Sequence, residues 1–395
     1  MASQPFTACS KLATEFVLLP IMEKKVIKGM VKITLLLALL LILSGCGGAG
    51  SPQITPTTGC GANCAPALGS VTNVAALSTC PTGYAPGMNC SRATVVCPDT
   101  ADLNVTYGYT APATGGIAGT IFFHAGGSGD VPLGISEFIG PYSAAGFALV
   151  QMAWASSWED SGLTVKNVGV SACRPATFMR YIFQNVATSG GAKCAQGLSA
   201  GSAAVGYSLA WYGAGSYLDN VELLSGPVFS DIAQGCVVPK PLPLSVCSAG
   251  QFGCPANSEF PDLPSYNTGP EGAGTAAGVG RITGDDSCGG IANTTSQSSS
   301  KWKAMSIVSD TVTPSFSYPQ TAVAGWVCNN GINPSAAQGD IFYLQFTGAQ
   351  QTAGFSLNPV TNCDGAEGVT LGTVTGETGA TAISNDMIAH CTVRH

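Results

Sequence analysis

Beyond about residue 95, runs rich in β-branched and aromatic residues alternate with segments whose apolar residues recur at helical spacing. In the segment ATFMRYIFQNVAT, for example, Phe178, Tyr181, Ile182 and Val186 share one helical face. This alternation predicts an α/β domain with a central, mostly parallel sheet flanked by helices. The runs predicted as strands cover residues 103–112, 119–127, 147–154, 192–198, 220–227, 303–310 and 340–348.

The first 94 residues follow a different pattern. Lysines at positions 24, 25, 28 and 32 precede the apolar run ITLLLALLLIL, which is too short to span a bilayer comfortably and is typical of a signal-peptide core. Gly, Ser, Pro, Thr and Ala then dominate to about residue 75, as in a flexible tether. We therefore predict a signal peptide over 1–45, with translation starting at Met1, Met22 or Met30, a cysteine-containing tether over 46–94, and a catalytic domain over 95–395.

The tetrapeptide LSGC closes the apolar run and ends at Cys46. It resembles the lipobox of bacterial lipoproteins, and this resemblance implies cleavage before Cys46 and acylation of its thiol and amine. Several acyl chains would hold the protein stably on a membrane, at the outer membrane or cell surface. The alternative is an ordinary secretory signal, which would leave the protein periplasmic or extracellular.

Sixteen cysteines stand beside only three histidines. Cys60 and Cys64 have a spacing that suits zinc, but no second pair completes four ligands, so we predict disulfides, an exported protein and no metal. The candidate pairs are Cys391 with Cys363 and Cys173 with Cys194, although the sequence leaves the connectivity open. Four more cysteines lie in a Gly- and Pro-rich stretch, 236–300, which is predicted to be an insertion that either roofs the active site or forms a passive surface loop.

The chain carries a net charge of −7, and its Lys and Arg residues form no basic stripe outside the N-terminal region. A basic stripe is what a protein needs to follow a phosphate backbone. Nucleic acid is therefore excluded as an expected partner.

One serine stands in the pentapeptide GLSAG, Gly197 to Gly201, between an apolar run and an Ala-rich helical segment. This context places Ser199 on a tight turn between strand and helix, where small neighbours avoid steric clash and the helix N-terminus stabilises negative charge. Here the chain resembles the α/β-hydrolase superfamily, whose nucleophile elbow has this form. The resemblance implies that Ser199 is the nucleophile of a Ser-His-Asp triad.

The triad partners follow from the chain order of that superfamily, which is serine, then acid, then histidine. His390 occupies the last place, because His395 ends the chain and His124 precedes a Gly-rich loop. Asp310 follows an apolar run and resembles the family's acid. Rival acids lie at Asp340, Asp364 and Asp386.

The segment FFHAGGSGD resembles the HGGG-type loop of lipases and esterases, with Ala125 in place of the first glycine. The resemblance implies an oxyanion hole built from the backbone N–H groups of Gly126, Gly127 and Ala200, with His124 organising the loop. Such preorganised donors are a major source of rate enhancement.

These observations predict a lipid-anchored serine esterase that uses no cofactor. Trp154 and Trp158 would either form an aromatic wall for the substrate or belong to the core. The ester could be small or polymeric, such as a polyhydroxyalkanoate or an aromatic polyester. A peptidase or amidase with the same triad and a non-catalytic, ligand-binding protein of the same fold are the alternatives.

Overall fold

The computed structural model describes nine ranges of the chain, all in the compact unit that begins at Pro56. They are residues 66–111, 116–164, 166–188, 190–232, 302–309, 314–328, 334–346, 352–363 and 368–395. The predicted signal peptide, Cys46 and the insertion at 236–300 lie outside them.

A nine-stranded sheet runs through the centre of this unit, in the order β1-β2-β3-β5-β4-β6-β7-β8-β9. β1 to β3 and β5 pair antiparallel along one side, and β5, β4, β6, β7, β8 and β9 pair parallel across the rest. The predicted α/β class with a mostly parallel sheet is therefore confirmed. The strands are β1 (Ser70–Ala76), β2 (Asn89–Val96), β3 (Leu103–Thr110), β4 (Gly119–His124), β5 (Phe147–Trp154), β6 (Ala192–Leu198), β7 (Asn220–Leu224), β8 (Tyr318–Cys328) and β9 (Thr352–Val360), with a separate pair β10 (Thr373–Val374) and β11 (Glu377–Thr378).

Helices cover both faces of the sheet. They are α1 (Ser136–Ala144), α2 (Val168–Ser171), α3 (Cys173–Tyr181), which continues as a π-helical turn Ile182–Val186, α4 (Ala200–Ala210), α5 (Pro334–Tyr343) and α6 (Gly379–His390). One apolar layer packs α3 and α4 against the sheet, and a second packs α1 and α6 against the opposite face. Alternate residues of β4 divide between the layers, Phe122 facing the first and Phe123 the second.

Three sequence predictions about the elements need correction. Residues 302–305 are helical and 340–348 begin in α5, although both runs were predicted as strands. Their apolar residues are too few to separate a buried helix from a buried strand by periodicity. The sheet also begins at Ser70, inside the predicted tether, because β1 and β2 extend its antiparallel side.

The described residues contain four disulfides, and they differ from the candidate pairs. Cys194 in β6 is bonded to Cys391, and Cys173 is bonded to Cys97. The other two bridges join Cys328 to Cys363 and Cys80 to Cys90. The packing of strands, helices and loops in the fold decides these pairs, and sequence spacing does not report it.

In the described part of the chain, no helix has both the length and the apolar character needed to cross a bilayer.

Candidate active site

Ser199 lies at the junction of β6 and α4, where the chain reverses from strand into helix. Its backbone has φ 54° and ψ −118°, a conformation that costs a non-glycine residue free energy and that clusters at functional sites. The Ser199 N–H donates to Leu224 O at 2.8 Å, and the Ser202 hydroxyl donates to Ser199 O. These bonds hold the strained turn to the end of β7 and to the first turn of α4.

The glycines on either side of Ser199 are required by close backbone approaches. A Cβ atom on Gly197 would lie 2.3 Å from Gly201 O, and one on Gly201 would lie 2.2 Å from His124 O. Neither neighbour is a flexible side chain that could move away. The predicted reason for these glycines, the tight closure of strand on helix, agrees with the geometry.

The same contact brings the predicted oxyanion loop against the turn. A Cβ atom on Gly201 would also lie 2.6 Å from Ala125 O, immediately before Gly126 and Gly127. Gly127 has φ 56°, which suits glycine, and Gly129 N–H donates to Gly126 O at 3.1 Å. Ala200 is the first residue of α4, and the first N–H groups of a helix have no acceptor within it. The three predicted donors therefore come from two segments that touch at Gly201.

His124 is buried behind this loop and is bonded on both ring nitrogens. Its Nε2 accepts from Trp154 Nε1 at 3.1 Å, so the proton stands on Nδ1, which donates to Ala125 O at 2.9 Å. Burial lowers the pKa of His124 to about 4, although the bond to Ala125 opposes the shift. His124 is therefore neutral at pH 7, and its contacts fix the start of the loop.

Trp154 and Trp158 are both fully buried. Trp154 packs on Phe178, while Trp158 stacks edge-on against His124 and lies beside Phe229. They belong to the core behind the oxyanion loop, so the prediction of an aromatic wall for the substrate is not supported.

The structure does not bring His390 to Ser199. α6 runs opposite to β6: Ala380 at its start lines a cavity together with Leu198, and Cys391 just beyond its end is bonded to Cys194 near the start of β6. His390 therefore lies towards the amino end of β6, and Ser199 lies beyond its carboxyl end. Chain order does not report the direction of the last helix, so this placement of His390 could not be predicted from it.

The imidazole of His390 is engaged at that position. Its Nδ1 lies 3.0 Å from Asp386 Oδ1, one helical turn earlier, and 53% of the side chain is exposed. His395 lies near the start of β7, where its backbone N–H donates to Asp219 and its Nε2 contacts Leu218 O at 2.9 Å. All three histidines of the chain are described, and the contacts of their ring nitrogens are with Trp154 and Ala125 (His124), Asp386 (His390) and Leu218 (His395), so none of these contacts is with Ser199.

The predicted acids are placed only in part. Asp310 and Asp364 lie outside the described residues, and for Asp340 the structure describes only the backbone, within α5. Asp386 is bonded to His390, away from Ser199.

The sequence analysis missed a pair of carboxyl groups formed by the buried Glu222 and the half-buried Asp386. Glu222 lies fully buried in the middle of β7, and no described residue donates a hydrogen bond to either of its oxygens. Burial, together with the charge of Asp386, raises the pKa of Glu222 well above its usual range. Glu222 is therefore held protonated beside Asp386, whose own pKa burial also raises. The one available signal was a glutamate inside the apolar run NVELL.

A cavity of about 560 Å³ lies beside the oxyanion loop, between that loop, the end of β6 and the start of α6. Gly126, Gly127 and Leu198 line it, so it is continuous with the oxyanion loop and with the residue before Ser199. Its other walls come mainly from residues 130–137 and from Gly368, Thr370 and Leu371. No sequence pattern indicated this cavity, because its walls come from segments far apart in the chain.

No known family model matches this chain, and no curated protein matches its sequence. Among solved structures, it is similar to a brefeldin A esterase described as a bacterial homologue of human hormone-sensitive lipase, with 14% identity, 71% of this chain and 70% of that chain covered, and a TM-score of 0.38. It is also similar to a Pyrobaculum calidifontis esterase (9% identity, 98% and 100% covered, TM-score 0.42) and to an acetyl xylan esterase from Paenibacillus sp. R4 (10%, 75% and 84%, TM-score 0.42). These likenesses are too distant to carry an argument about chemistry.

Proposed function

We propose that this chain is a serine hydrolase that cleaves carboxylic esters, with Ser199 as the nucleophile. The observation that carries the proposal is the backbone of Ser199, whose positive φ at a strand-to-helix turn presents the residue between α4 and the oxyanion loop. Strained backbone of this kind clusters at functional sites, and at Ser199 it coincides with the glycine-built contact to the oxyanion loop.

The chemistry follows from that placement. Ser199 Oγ adds to the ester carbonyl, and the charge that develops on the carbonyl oxygen is met by the N–H groups of Ala200, Gly126 and Gly127. The tetrahedral carbon then expels the alcohol, which leaves with a proton that replaces the one given up by Ser199 Oγ. In the second half of the reaction water attacks the acyl-serine ester, one proton of the water returns to Ser199 Oγ, and the acid is released. In serine hydrolases, removal of one oxyanion-hole donor typically raises the activation barrier by about 3 kcal/mol.

The serine proton needs an acceptor, and the sequence assigned it to His390 oriented by Asp310. The described contacts of His390 are with Asp386 and Arg394 and do not support that assignment. This observation favours a second candidate function, in which the chain binds an ester or acyl group at the oxyanion loop without turning it over.

One experiment separates the two functions. Residues 47–395, produced in an oxidising compartment, would be assayed on esters from 4-nitrophenyl acetate to a polyhydroxyalkanoate film, beside Ser199→Ala and His390→Gln. If the chain is a hydrolase, Ser199→Ala should lower kcat/KM about 10⁴-fold. Because His390 contacts Asp386 in this structure, His390→Gln should keep kcat/KM within about twofold of the wild-type value. If the folded wild type cleaves no ester, the hydrolase proposal fails and the binding function is favoured. A loss in His390→Gln as large as in Ser199→Ala would show that His390 reaches Ser199 during turnover.

We further propose that the protein is exported and held on a membrane by lipid on Cys46, the last residue of LSGC. The disulfides among the described residues suit an oxidising compartment. Polymeric esters, which cannot enter a cell, would be natural substrates at such a location. We expect Cys46→Ser in the full chain to move the protein from the membrane to the soluble fraction of the producing bacterium, and membrane retention of the variant would refute the anchor.

A further inference from the structure

The cavity beside the oxyanion loop is lined by apolar and by acidic side chains, and together these indicate one kind of ligand. Most of its side chains are apolar, including Pro132, Leu133, Ile135 and Leu198. Two more apolar residues at the cavity, Val131 and Leu371, are 59% and 78% exposed. Large apolar side chains in water are costly, and two of them beside one opening form a surface that an aliphatic group would cover.

The charged residues of the cavity all have one sign. Asp130 and Glu137 line it, both are exposed, and Ser136 Oγ donates to Glu137 Oε2 at 3.0 Å. None of the described residues that line the cavity is Lys, Arg or His. An anionic group in this space would meet two carboxylates and no described cationic side chain to compensate them.

The position of the cavity relates these features to Ser199. Gly126 and Gly127 supply its wall where the carbonyl oxygen of an ester would lie, and Leu198 directly precedes the nucleophile. A group attached to that carbonyl can therefore extend into the cavity while the carbonyl stays at the loop.

We infer that this cavity receives the acyl group of an uncharged ester and that Asp130 and Glu137 select against acyl groups that end in a carboxylate. This inference rests on the proposed function and deepens it, because it names the substrate class. The repulsion acts through exposed side chains, so salt weakens it. The discrimination belongs to the acyl side of the ester and leaves the alcohol side unconstrained.

The test compares two esters of similar size, 4-nitrophenyl valerate and the mono-4-nitrophenyl ester of succinic acid, whose far end is a carboxylate. We expect the wild type to prefer valerate by at least tenfold in kcat/KM at low salt. The double variant Asp130→Asn/Glu137→Gln should lower this ratio at least fivefold, chiefly by improving the succinate ester, and 0.5 M NaCl should lower the wild-type ratio in the same direction.

The control is Glu377→Gln, which removes one exposed negative charge from β11, outside the cavity wall. This variant should keep the wild-type ratio. A ratio that the double variant leaves unchanged, or that Glu377→Gln lowers equally, would overturn the inference while the ester hydrolase proposal stands.

If the wild type cleaves neither ester, the proposed function fails and binding reports on the cavity directly. Valeramide and succinamate are the uncleaved counterparts, and their affinities would be compared by calorimetry in the wild type and the double variant. A preference for valeramide that the double variant loses would support the charge selection. Equal affinities in the wild type would overturn it.

Discussion

The two ends of β6 and β7 place polar groups by opposite means. At the carboxyl end, Ser199 is positioned by main-chain geometry: a positive φ, two glycines without room for a Cβ, and backbone N–H groups on a neighbouring loop. In the middle and at the amino end, Glu222, Asp386 and His390 form a row of polar side chains, in which burial raises the pKa values of Glu222 and Asp386. Main-chain geometry therefore determines the first arrangement, whereas contacts between ionisable side chains determine the second.

This difference explains why a histidine near the end of the chain does not by itself complete a catalytic site. His390 belongs to this row of side chains, where Asp386 contacts its imidazole and the Cys194–Cys391 disulfide fixes the next residue. Ser199 belongs to the rigid, glycine-built end. Changes that disturb shape should therefore affect the first region strongly, and changes of charge should affect the second.

The largest expected effect comes from adding one methyl group at the glycine-built end. In Gly201→Ala the new Cβ would lie within 2.6 Å of the carbonyl oxygens of His124 and Ala125, so α4 and the oxyanion loop must separate. We expect a loss of about 2–4 kcal/mol in unfolding free energy by denaturant titration, as for overpacking of a buried backbone contact. Any ester hydrolysis should fall at least 100-fold, because the N–H donors move away from Ser199.

Gly116 provides the matched control. It lies in an exposed loop before β4, and a Cβ there would meet nothing within 4 Å. Gly116→Ala should be neutral or stabilise by about 0.4–1 kcal/mol, because alanine has fewer conformations to lose from the unfolded chain than glycine. Similar stability for the two variants would contradict the claim that main-chain approach builds the site.

The turn at Ser199 was easier to predict from the sequence than the row formed by Glu222, Asp386 and His390. GLSAG and its flanking segments suffice to place Ser199 at a strand-to-helix turn, because glycine requirements are local and visible in the residue types. The parallel sheet followed in the same way from alternating strands and helices. Local patterns therefore carried these predictions.

The features that the sequence analysis did not predict depend on contacts between segments far apart in the chain. The direction of α6, which separates His390 from Ser199, depends on packing and on a disulfide to a strand 197 residues earlier. Likewise, β8 and β9 were not predicted, and neighbouring apolar runs at 303–310 and 340–348 were taken as strands instead. Nothing within a few residues of these positions reports which part of the sheet they contact.

The smallest expected effect is a change in how stability depends on pH, in the region built from side chains. Glu222 faces Asp386 from α6, with Tyr142 from α1 nearby, and its pKa is raised in the folded protein because burial disfavours its charge. Between the ordinary glutamate pKa and this raised value the folded chain binds a proton that the unfolded chain has lost, so stability should fall as pH rises.

The variant Glu222→Gln tests this expectation, because its amide can still donate a hydrogen bond to Asp386 but cannot ionise. Its unfolding free energy, measured by denaturant titration from pH 4.5 to 8, should fall less steeply than that of the wild type. Glu377→Gln, an exposed control, should follow the wild type. Parallel curves for wild type and Glu222→Gln would show that Glu222 does not hold its proton in the folded protein.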